Sequence, residues 1–515
     1  MIETSWKRQH PAAIFIGFLS NLREMIFTIV AVLIFGQSSQ AGGTIFYTIF
    51  FSLILVFSIA SGIIRWATFR YQLIENELQV RQGLIFRKRR YIRQERIQSI
   101  DINAKLIQRI FNLVELRIET AGGGAEPEFR IIALKEEEAQ QIKKELLSKS
   151  KTPTKDSKMD NVNGEEEVTN EAIGTSNEEQ EVITEDEEHS LPQFHWKLTN
   201  QRLFITAITS SGIGIAATFV AAIATQVQQL IPDEYYERAI GWLLHSSVLI
   251  IGFWIVSILI IGWLITLVST MLKYGLFNIT KNGDEIHITR GVLEKRQLTL
   301  SAKRITAVRL VENMLRQPFG YVAVYVESAG GGTKEEDLST VLIPLCKRTE
   351  LNKILQEVLP EFAVERKLEK LPKYSVRRYM IRLLIPTAIL ASVLTYLYSY
   401  GWLAFSLLFI AGAIGYWQYY DAGIGRDQKI LWIRYRILAR TEVIIPRRRV
   451  QSMSFSQTIF QKFDDLYTLQ ASIITSIMGK TFQLRHIDRD QKEEMMEWFS
   501  YEEISQFQDD SEGSQ

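Results

Sequence analysis

Long stretches without a single charged residue constrain this chain more than any other feature of its sequence. Residues 25–64, 239–272 and 383–420 contain no Asp, Glu, Lys or Arg. The first stretch is 40 residues long. A helix of that length measures about 60 Å, about twice the ~30 Å hydrocarbon core of a bilayer. Buried helices of soluble proteins rarely stay uncharged for so long, so these stretches predict transmembrane helices.

Glycine-containing or polar breaks divide the first and third stretches, at residues 37–43 and 399–401. A further apolar stretch precedes the second one. We therefore predict six spans in three pairs, at residues 14–35 and 44–64, 203–225 and 243–268, and 382–398 and 402–418. Residues 11–24 are typical of an amphipathic interfacial segment that leads into a tilted first span. The N-terminal segment is interpreted as a retained anchor, not as a signal peptide.

The distribution of Lys and Arg predicts how the chain is oriented. The three loops on one side, at residues 37–43, 226–241 and 399–401, contain only Arg238 of the 59 basic residues. By the positive-inside rule, we expect both termini and all soluble segments to face the cytoplasm.

Composition excludes several classes of site. The only cysteine is Cys346, so no intrachain disulfide can form. The six histidines show no i,i+3 or i,i+4 pair, and we expect neither a metal site nor a cofactor. Residues 151–190 hold thirteen acidic residues and three lysines, a net charge of −10, which leaves the rest of the chain strongly basic. Beside membrane spans, this excess favours anionic lipid over nucleic acid as a partner.

The soluble segments repeat one sequence pattern. Gly83, the motif at residues 95–100 (ERIQSI) and the motif at 119–124 (ETAGGG) recur 208 residues later, as Gly291, 303–308 (KRITAV) and 327–332 (ESAGGG). A third copy lies at an offset of 353, through residues 448–453 (RRVQSM). It has Arg436 in the position of the glycine and lacks the triglycine, so it is a diverged copy.

Each copy is expected to contain short antiparallel strands followed by one helix, which makes a small, partly open β-barrel closed by its helix. We expect Gly83 and Gly291 to turn hairpins, and the triglycines to be flexible hairpin tips, not phosphate loops. The triglycines are Gly122, Gly123, Gly124, Gly330, Gly331 and Gly332. The predicted segments are membrane pair 1 (1–68), unit 1 (69–147), an acidic linker (148–194), membrane pair 2 (195–273), unit 2 (274–360), membrane pair 3 (361–420), unit 3 (421–503) and a tail (504–515).

Two spans, a glycine-turned hairpin, an Arg-Ile-Gln-Ser strand and a Glu-Thr-Ala-Gly-Gly turn together resemble the bacterial pleckstrin-homology-like proteins of the membrane-flanked class. The resemblance implies an α+β multi-pass membrane protein with three PH-like, partly open β-barrels. Each barrel would have a C-terminal helix and follow a transmembrane helical hairpin. The resemblance also implies no catalytic chemistry, a smaller membrane-flanked relative as a partner, and a role in envelope homeostasis or resistance to membrane-active agents.

Basic clusters are the candidate contact surface for anionic lipid or for a partner. They consist of Arg87, Lys88, Arg89, Arg90, Arg93, Arg96, Arg304, Arg447, Arg448 and Arg449. The alternative is a solvated strand face that also satisfies the positive-inside rule. Unit 2 is much less basic than unit 1 in this region, which argues against three identical lipid sites.

These observations favour a non-enzymatic membrane scaffold that contacts partner proteins and nonspecific anionic lipid. Two alternatives remain open: a protein that senses or binds specific lipids, and a solute transporter. The acidic linker has too little apolar surface to fold alone and is expected to be disordered. One hypothesis is that it folds over the basic face at residues 87–96 and competes with lipid.

Overall fold

A computed structural model of the chain describes residues 6–21, 42–74, 77–84, 86–120, 129–147, 194–210, 248–329, 340–397, 401–475 and 479–512. The predicted spans at 14–35 and 203–225 and the acidic linker lie largely outside these residues. So do both glycine triplets, Gly122–124 and Gly330–332. We use the names units 1, 2 and 3 for the three repeated soluble segments.

The elements of unit 1 and its membrane pair are α1 (13–21), α2 (Gly42–Thr68), β1 (Arg70–Ile74), β2 (Glu77–Gln82), β3 (Lys88–Arg93), β4 (Ile97–Ala104), α3 (Leu106–Ile110), β5 (Leu113–Thr120), β6 (Phe129–Lys135) and α4 (Glu136–Leu147). Those of unit 2 are β7 (Phe194–Lys197), α5 (Asn200–Ile208), α6 (Val248–Tyr274), β8 (Asn278–Asn282), β9 (Glu285–Arg290), β10 (Lys295–Ser301), β11 (Ile305–Glu312), β12 (Tyr321–Ser328), β13 (Thr340–Lys347) and α7 (Arg348–Val358).

Those of unit 3 are β14 (Glu369–Lys370), α8 (Ser375–Leu397), α9 (Leu407–Asp421), β15 (Gly423–Arg426), β16 (Ile430–Arg436), β17 (Arg440–Pro446), β18 (Val450–Ser456), α10 (Ile459–Lys462), β19 (Tyr467–Ile473), β20 (Lys480–Ile487) and α11 (Arg489–Glu512). Each unit therefore has a front meander of three strands, a rear meander of three strands and a closing helix, as expected for an α+β repeat.

Helical segments at Ile49–Thr68, Gly252–Tyr274, Ser375–Leu397 and Gly401–Asp421 are long and apolar enough to cross a membrane. They cover four of the predicted spans. α8 begins at Ser375, before the predicted residue 382, because unit 3 holds its first turns. The Ser375 hydroxyl donates to the His486 carbonyl at 2.8 Å, and Arg378 Nε donates to Asp464 Oδ2 at 2.6 Å.

The sheets do not end at the unit boundaries. One seven-stranded sheet has the order β6-β5-β4-β10-β9-β8-β7, so the rear meander of unit 1 continues into the front meander of unit 2. A second sheet, β13-β12-β11-β17-β16-β15-β14, joins units 2 and 3 in the same way. We call the β4–β10 pairing joint 1–2 and the β11–β17 pairing joint 2–3. The sequence pattern predicts three barrels and does not indicate these joints.

Both joints have the same register. Lys295 pairs with Ala104 at joint 1–2, and Arg440 pairs with Glu312 at joint 2–3. When the repeat offsets of 208 and 353 are subtracted, both pairs become position 87 opposite position 104. The joints are therefore two copies of one interface.

Apolar packing follows the strands across the joints. The core of unit 1 takes residues from both of its meanders and from α4, such as Leu78, Leu116 and Leu146. The core of unit 2 also includes Trp432 and Ile444 from unit 3. Units 2 and 3 thus share a core as well as a sheet.

The turn glycines behave as predicted, and the diverged unit solves the turn differently. Gly83 and Gly291 both have φ near +100°, which favours glycine. Arg436 instead pairs with Arg440 at the end of the hairpin. The hairpin is one residue pair longer than in the other units, so this position lies in a strand and needs no glycine.

An ion cluster lies at joint 2–3. Glu442 of β17 contacts Arg348 at 3.1 Å and Arg366 at 3.3 Å, and its side chain is 3% exposed. Glu312 of β11 contacts Arg348 and Arg440 and is similarly buried. Removing one member of a buried ion pair leaves an uncompensated charge at a cost of about 3–5 kcal/mol.

We expect Glu442→Gln to loosen joint 2–3 by about 3 kcal/mol, which corresponds to a roughly 100-fold faster opening of the sheet. Cys346 reports this opening, because it is the single cysteine and is buried in the core that also contains Trp432 and Ile444 of unit 3. Burial raises the pKa of its thiol to about 12. Maleimide labelling of Cys346 in the detergent-solubilised chain is the measurement. Glu361→Gln is the control, because Glu361 pairs with Arg448 in solvent. Equal labelling rates for the two variants would contradict the prediction.

A second polar network lies at joint 1–2. The Lys143 ammonium donates to Thr299 Oγ1 at 2.7 Å, and His287 Nδ1 lies 3.1 Å from the same oxygen. Burial and the neighbouring charge of Lys143 lower the pKa of His287 to about 4. The imidazole is therefore neutral in the folded chain at pH 7.

Acid should weaken this joint. Between pH 6.5 and pH 4 the unfolded chain protonates His287 while the folded chain does not, so stability falls as the pH falls through this window. The melting temperature of the full chain in detergent should therefore drop less from pH 7 to pH 5 in His287→Gln than in the unsubstituted chain. His195→Gln is the control, because His195 is exposed in the same sheet. A drop as large in His287→Gln as in the control would refute the assignment.

Candidate membrane-facing and partner-binding surfaces

The front hairpin of unit 2 is held against the end of a membrane helix. The amide of Gly291 donates to the Gly275 carbonyl at 2.7 Å, and the amide of Val292 donates to the Leu272 carbonyl at 2.9 Å. The Arg290 guanidinium lies 5.8 Å from the centre of the Tyr274 ring. This hairpin tip therefore lies where α6 leaves the apolar segment.

Unit 3 has the same arrangement with different side chains. Gln418 of α9 donates to the Ile437 carbonyl at 3.1 Å. Arg436 pairs with Asp421, the last residue of α9, at 2.5 Å, and its guanidinium lies 5.7 Å from the Trp417 ring. In both units the tip is thus fixed at the end of the second helix of its membrane pair.

The hairpin tips expose large apolar side chains where turns usually carry polar ones. These are Leu84 (58% exposed), Phe86 (83%), Val292 (40%), Leu293 (46%), Ile437 (69%) and Leu438 (62%). Exposed apolar clusters mark binding or membrane surfaces, and these lie beside the ends of membrane helices. Their position and chemistry suit the interfacial layer of the bilayer.

A second set of apolar residues lies where each rear meander connects its first two strands. The Phe111 ring lies 6.2 Å from the Phe15 ring of α1. In unit 2, Arg316 Nε donates to Thr209 Oγ1 at 2.9 Å, just after α5. The exposed residues of these connections are Leu106, Ile110, Phe111, Met314, Leu315, Phe319, Ile459, Phe460 and Phe463. Each connection thus adjoins the first helix of its membrane pair, as the hairpin tip adjoins the second.

The basic residues of unit 1 follow β3 away from its tip. Arg87 and Lys88 come directly after Phe86, and both are exposed. Arg89 and Arg93 are exposed further along, Arg90 is half-buried, and exposed Arg96 ends the short turn that follows the strand. At about 3.3 Å per residue, the far end of β3 lies about 20 Å from the tip. The first two cations are therefore the best placed to meet lipid head groups.

The other predicted basic residues make contacts within the chain. Arg304 Nη2 donates to the Ile97 carbonyl of unit 1 at 3.3 Å, and Arg449 donates to the Lys303 carbonyl of unit 2. Arg448 pairs with Glu361 at 2.7 Å. Arg447 donates to the Phe499 carbonyl at 3.1 Å and lies 5.3 Å from the Trp498 ring. Lipid contact by these four residues stays a prediction.

The apolar tips are the feature that sequence reasoning missed. Their signal is present, since Leu84, Val292 and Ile437 each follow the turn position in the repeat frame. An apolar residue repeated at a predicted hairpin turn indicates a covered or inserted tip.

No group of three metal-ligating side chains comes together in the described part of the chain. An open cleft of about 570 Å³ borders joint 1–2 and is lined by residues that include Arg109, Asn112, Lys135, Glu136 and Lys295. The charged residues that line this cleft partly neutralise one another, since Lys295 pairs with Glu136 at 3.0 Å.

Known proteins match most of the length of the chain. The family model described as bacterial PH domain matches residues 18–150, 219–361 and 380–503. Each match includes membrane helix and soluble unit together, which supports the internal repeat. The UPF0699 transmembrane protein YdbT of Bacillus subtilis (strain 168) is 32% identical over 501 residues, covering 96% of this chain and 98% of that protein. No solved structure matches the chain.

We expect the tips to lie within the lipid interface of the full chain. In a Cys346→Ser background, a fluorophore on Phe86→Cys or Leu438→Cys should be quenched by lipids that carry a spin label at the head group. The controls are Glu95→Cys and Lys303→Cys, exposed positions at the opposite ends of the strands. The far ends of the strands lie about 20 Å from the tips, beyond the ~10 Å over which the charge of the membrane surface acts. Similar quenching at all four positions would show that the tips do not face lipid.

Proposed function

Because the chain belongs to the bacterial PH domain family, we propose that it is a non-enzymatic scaffold anchored in the bacterial plasma membrane. This is not an enzyme family. In this proposal both termini and all three units lie in the cytoplasm, and the units contact partner proteins and the anionic membrane surface.

The observation that carries the proposal is the continuity of the sheets. The three units are joined by strand pairings in the same register, which fixes the spacing between the units. A fixed spacing suits positioning more than a moving catalytic or transport cycle. The apolar tips on successive units would hold the joined units against the lipid. Arg87 and Lys88 beside Phe86 would add attraction to anionic head groups, at about 1 kcal/mol per charge near the surface.

The process served by such a scaffold is proposed to be envelope homeostasis or resistance to membrane-active agents. A protein that spans the membrane and also covers its inner surface is suited to respond to damage there. A smaller membrane-flanked relative would be a fitting partner, because it would offer the same kind of strand edge at the same height above the membrane.

A protein that binds specific lipids is the second candidate. The cleft beside joint 1–2 favours it, since Arg109 and Lys135 line an open space close to the membrane-facing connection of unit 1. Such a site would recognise one head group and saturate.

Lipid addition to the detergent-solubilised full chain separates the two candidates. The scaffold proposal predicts that any anionic phospholipid raises the melting temperature and that ~0.5 M salt, where the screening length falls to about 4 Å, removes the effect. Arg87→Gln with Lys88→Gln should reduce the stabilisation, whereas the control Arg93→Gln, at the far end of β3, should not. A saturable preference for one head group that survives high salt would favour the lipid-binding candidate instead.

A further inference from the structure

The repeated joints leave one edge of each kind without a partner among the described residues. β3, the last front strand of unit 1, pairs only with β2. β18, the first rear strand of unit 3, pairs only with β19. β3 corresponds to β10 and β17, and β18 corresponds to β4 and β11. β3 and β18 are therefore the two halves of the interface that the chain already forms twice.

Burial supports this interpretation of the free edges. Ser99 and Asn103 of β4 are 2% and 5% exposed, and Asn103 is paired with Arg296 across joint 1–2. Their counterparts in β18, Ser452 and Ser456, are exposed. The strand at this repeat position is thus covered in unit 1, where β10 lies beside it. It is exposed in unit 3, where no such neighbour lies among the described residues.

An arginine that recurs in the repeat independently supports the interpretation that β3 and β18 are the two halves of a joint. Arg304 and Arg449 occupy the same repeat position, and each donates to a backbone carbonyl of the preceding unit. Arg96 holds that position in unit 1, and it is exposed. A preceding unit supplied by another chain would offer it backbone carbonyls of the same region, at the start of the rear meander.

The two ends also carry opposite charge. Residues 87–96 contain six basic residues and one acidic residue, a net charge of +5. The closing helix α11 contains nine acidic and two basic residues, a net charge of −7. At joint 1–2 the closing helix α4 flanks the paired strands, with Glu136 on Lys295 at 3.0 Å and Gln140 on Gln297 at 3.0 Å. Helix α11 would therefore lie beside the basic strand of a neighbouring chain.

We infer that copies of this chain associate head to tail, with β18 of one copy pairing antiparallel with β3 of the next. The internal register places Lys88 opposite Ser456 and Arg90 opposite Ser454. Every copy holds its units on the same side of one membrane, so the new joint forms at the height of the internal ones. Because the contact is heterologous, it continues from copy to copy.

Charged residues on an edge strand often serve only to prevent unwanted pairing. The internal joints argue against that role here. β10 begins with Lys295 and Arg296, and both of these residues pair with β4. Basic residues at this position are therefore compatible with the joint.

Cysteine crosslinking in native membranes tests the register. Two full-length versions with different tags, both in a Cys346→Ser background, are co-expressed, one with Lys88→Cys and the other with Ser456→Cys. Cα atoms of directly opposed residues lie about 4.5–5.5 Å apart, within reach of a disulfide. We expect an oxidised product that contains both tags.

Matched controls define the result. Arg296→Cys with Asn103→Cys in one chain is the same pair at joint 1–2 and should form an intrachain disulfide. Arg93→Cys replaces Lys88→Cys as an off-register partner and should give no product with Ser456→Cys. Adding Arg89→Glu and Arg90→Glu to the Lys88→Cys chain should abolish the product, because the basic strand then repels α11.

Three results would overturn the inference: no product where the internal control forms, equal product with Arg93→Cys, or capture of a different membrane protein by Lys88→Cys. The inference deepens the scaffold proposal by naming the partner. Its failure would leave the lipid contact intact, because quenching at Phe86→Cys and Leu438→Cys depends on neither free edge.

Discussion

Antiparallel pairing between the rear meander of one unit and the front meander of the next is the interaction on which the soluble part depends. It fixes the spacing of the units, because Lys295–Ala104 and Arg440–Glu312 are the same pair in the repeat frame. It also decides which polar groups are buried, since a strand between two neighbours exposes neither its backbone nor side chains such as Asn103. The ion cluster around Glu442 is a consequence of that burial, because it forms where two units close on each other.

The membrane helices are tied into this arrangement by short strands that flank them. A strand precedes the membrane pairs of units 2 and 3 and adds to the front meander that follows, as β7 does with β8 and β14 with β15. In unit 1 the bridge between Lys7 and Tyr71 takes this place. The two ends of each membrane segment are thereby tied together, and the hairpin tips are held at the ends of the helices.

The pattern of the sequence was sufficient for most of the architecture. Uncharged length identified four spans that the described residues show as long apolar helices, because a charge in hydrocarbon is costly wherever it lies. The constant offsets identified the repeat, and the glycines at 83 and 291 were correctly placed in turns that need positive φ. The apolar tips were missed because an exposed Leu84 or Ile437 has meaning only when its distance from a membrane helix is known.

The sequence by itself determined how many units the chain carries, that each unit follows membrane helices, and which family they belong to, because hydropathy and repeat spacing are local properties. Only the tertiary structure decided that the units share their sheets and that Arg304 and Arg449 reach into a neighbouring unit. Strand pairing depends on backbone groups that every residue possesses. A partner strand 190 residues away therefore leaves no mark in the side-chain pattern, as with Ala104 and Lys295.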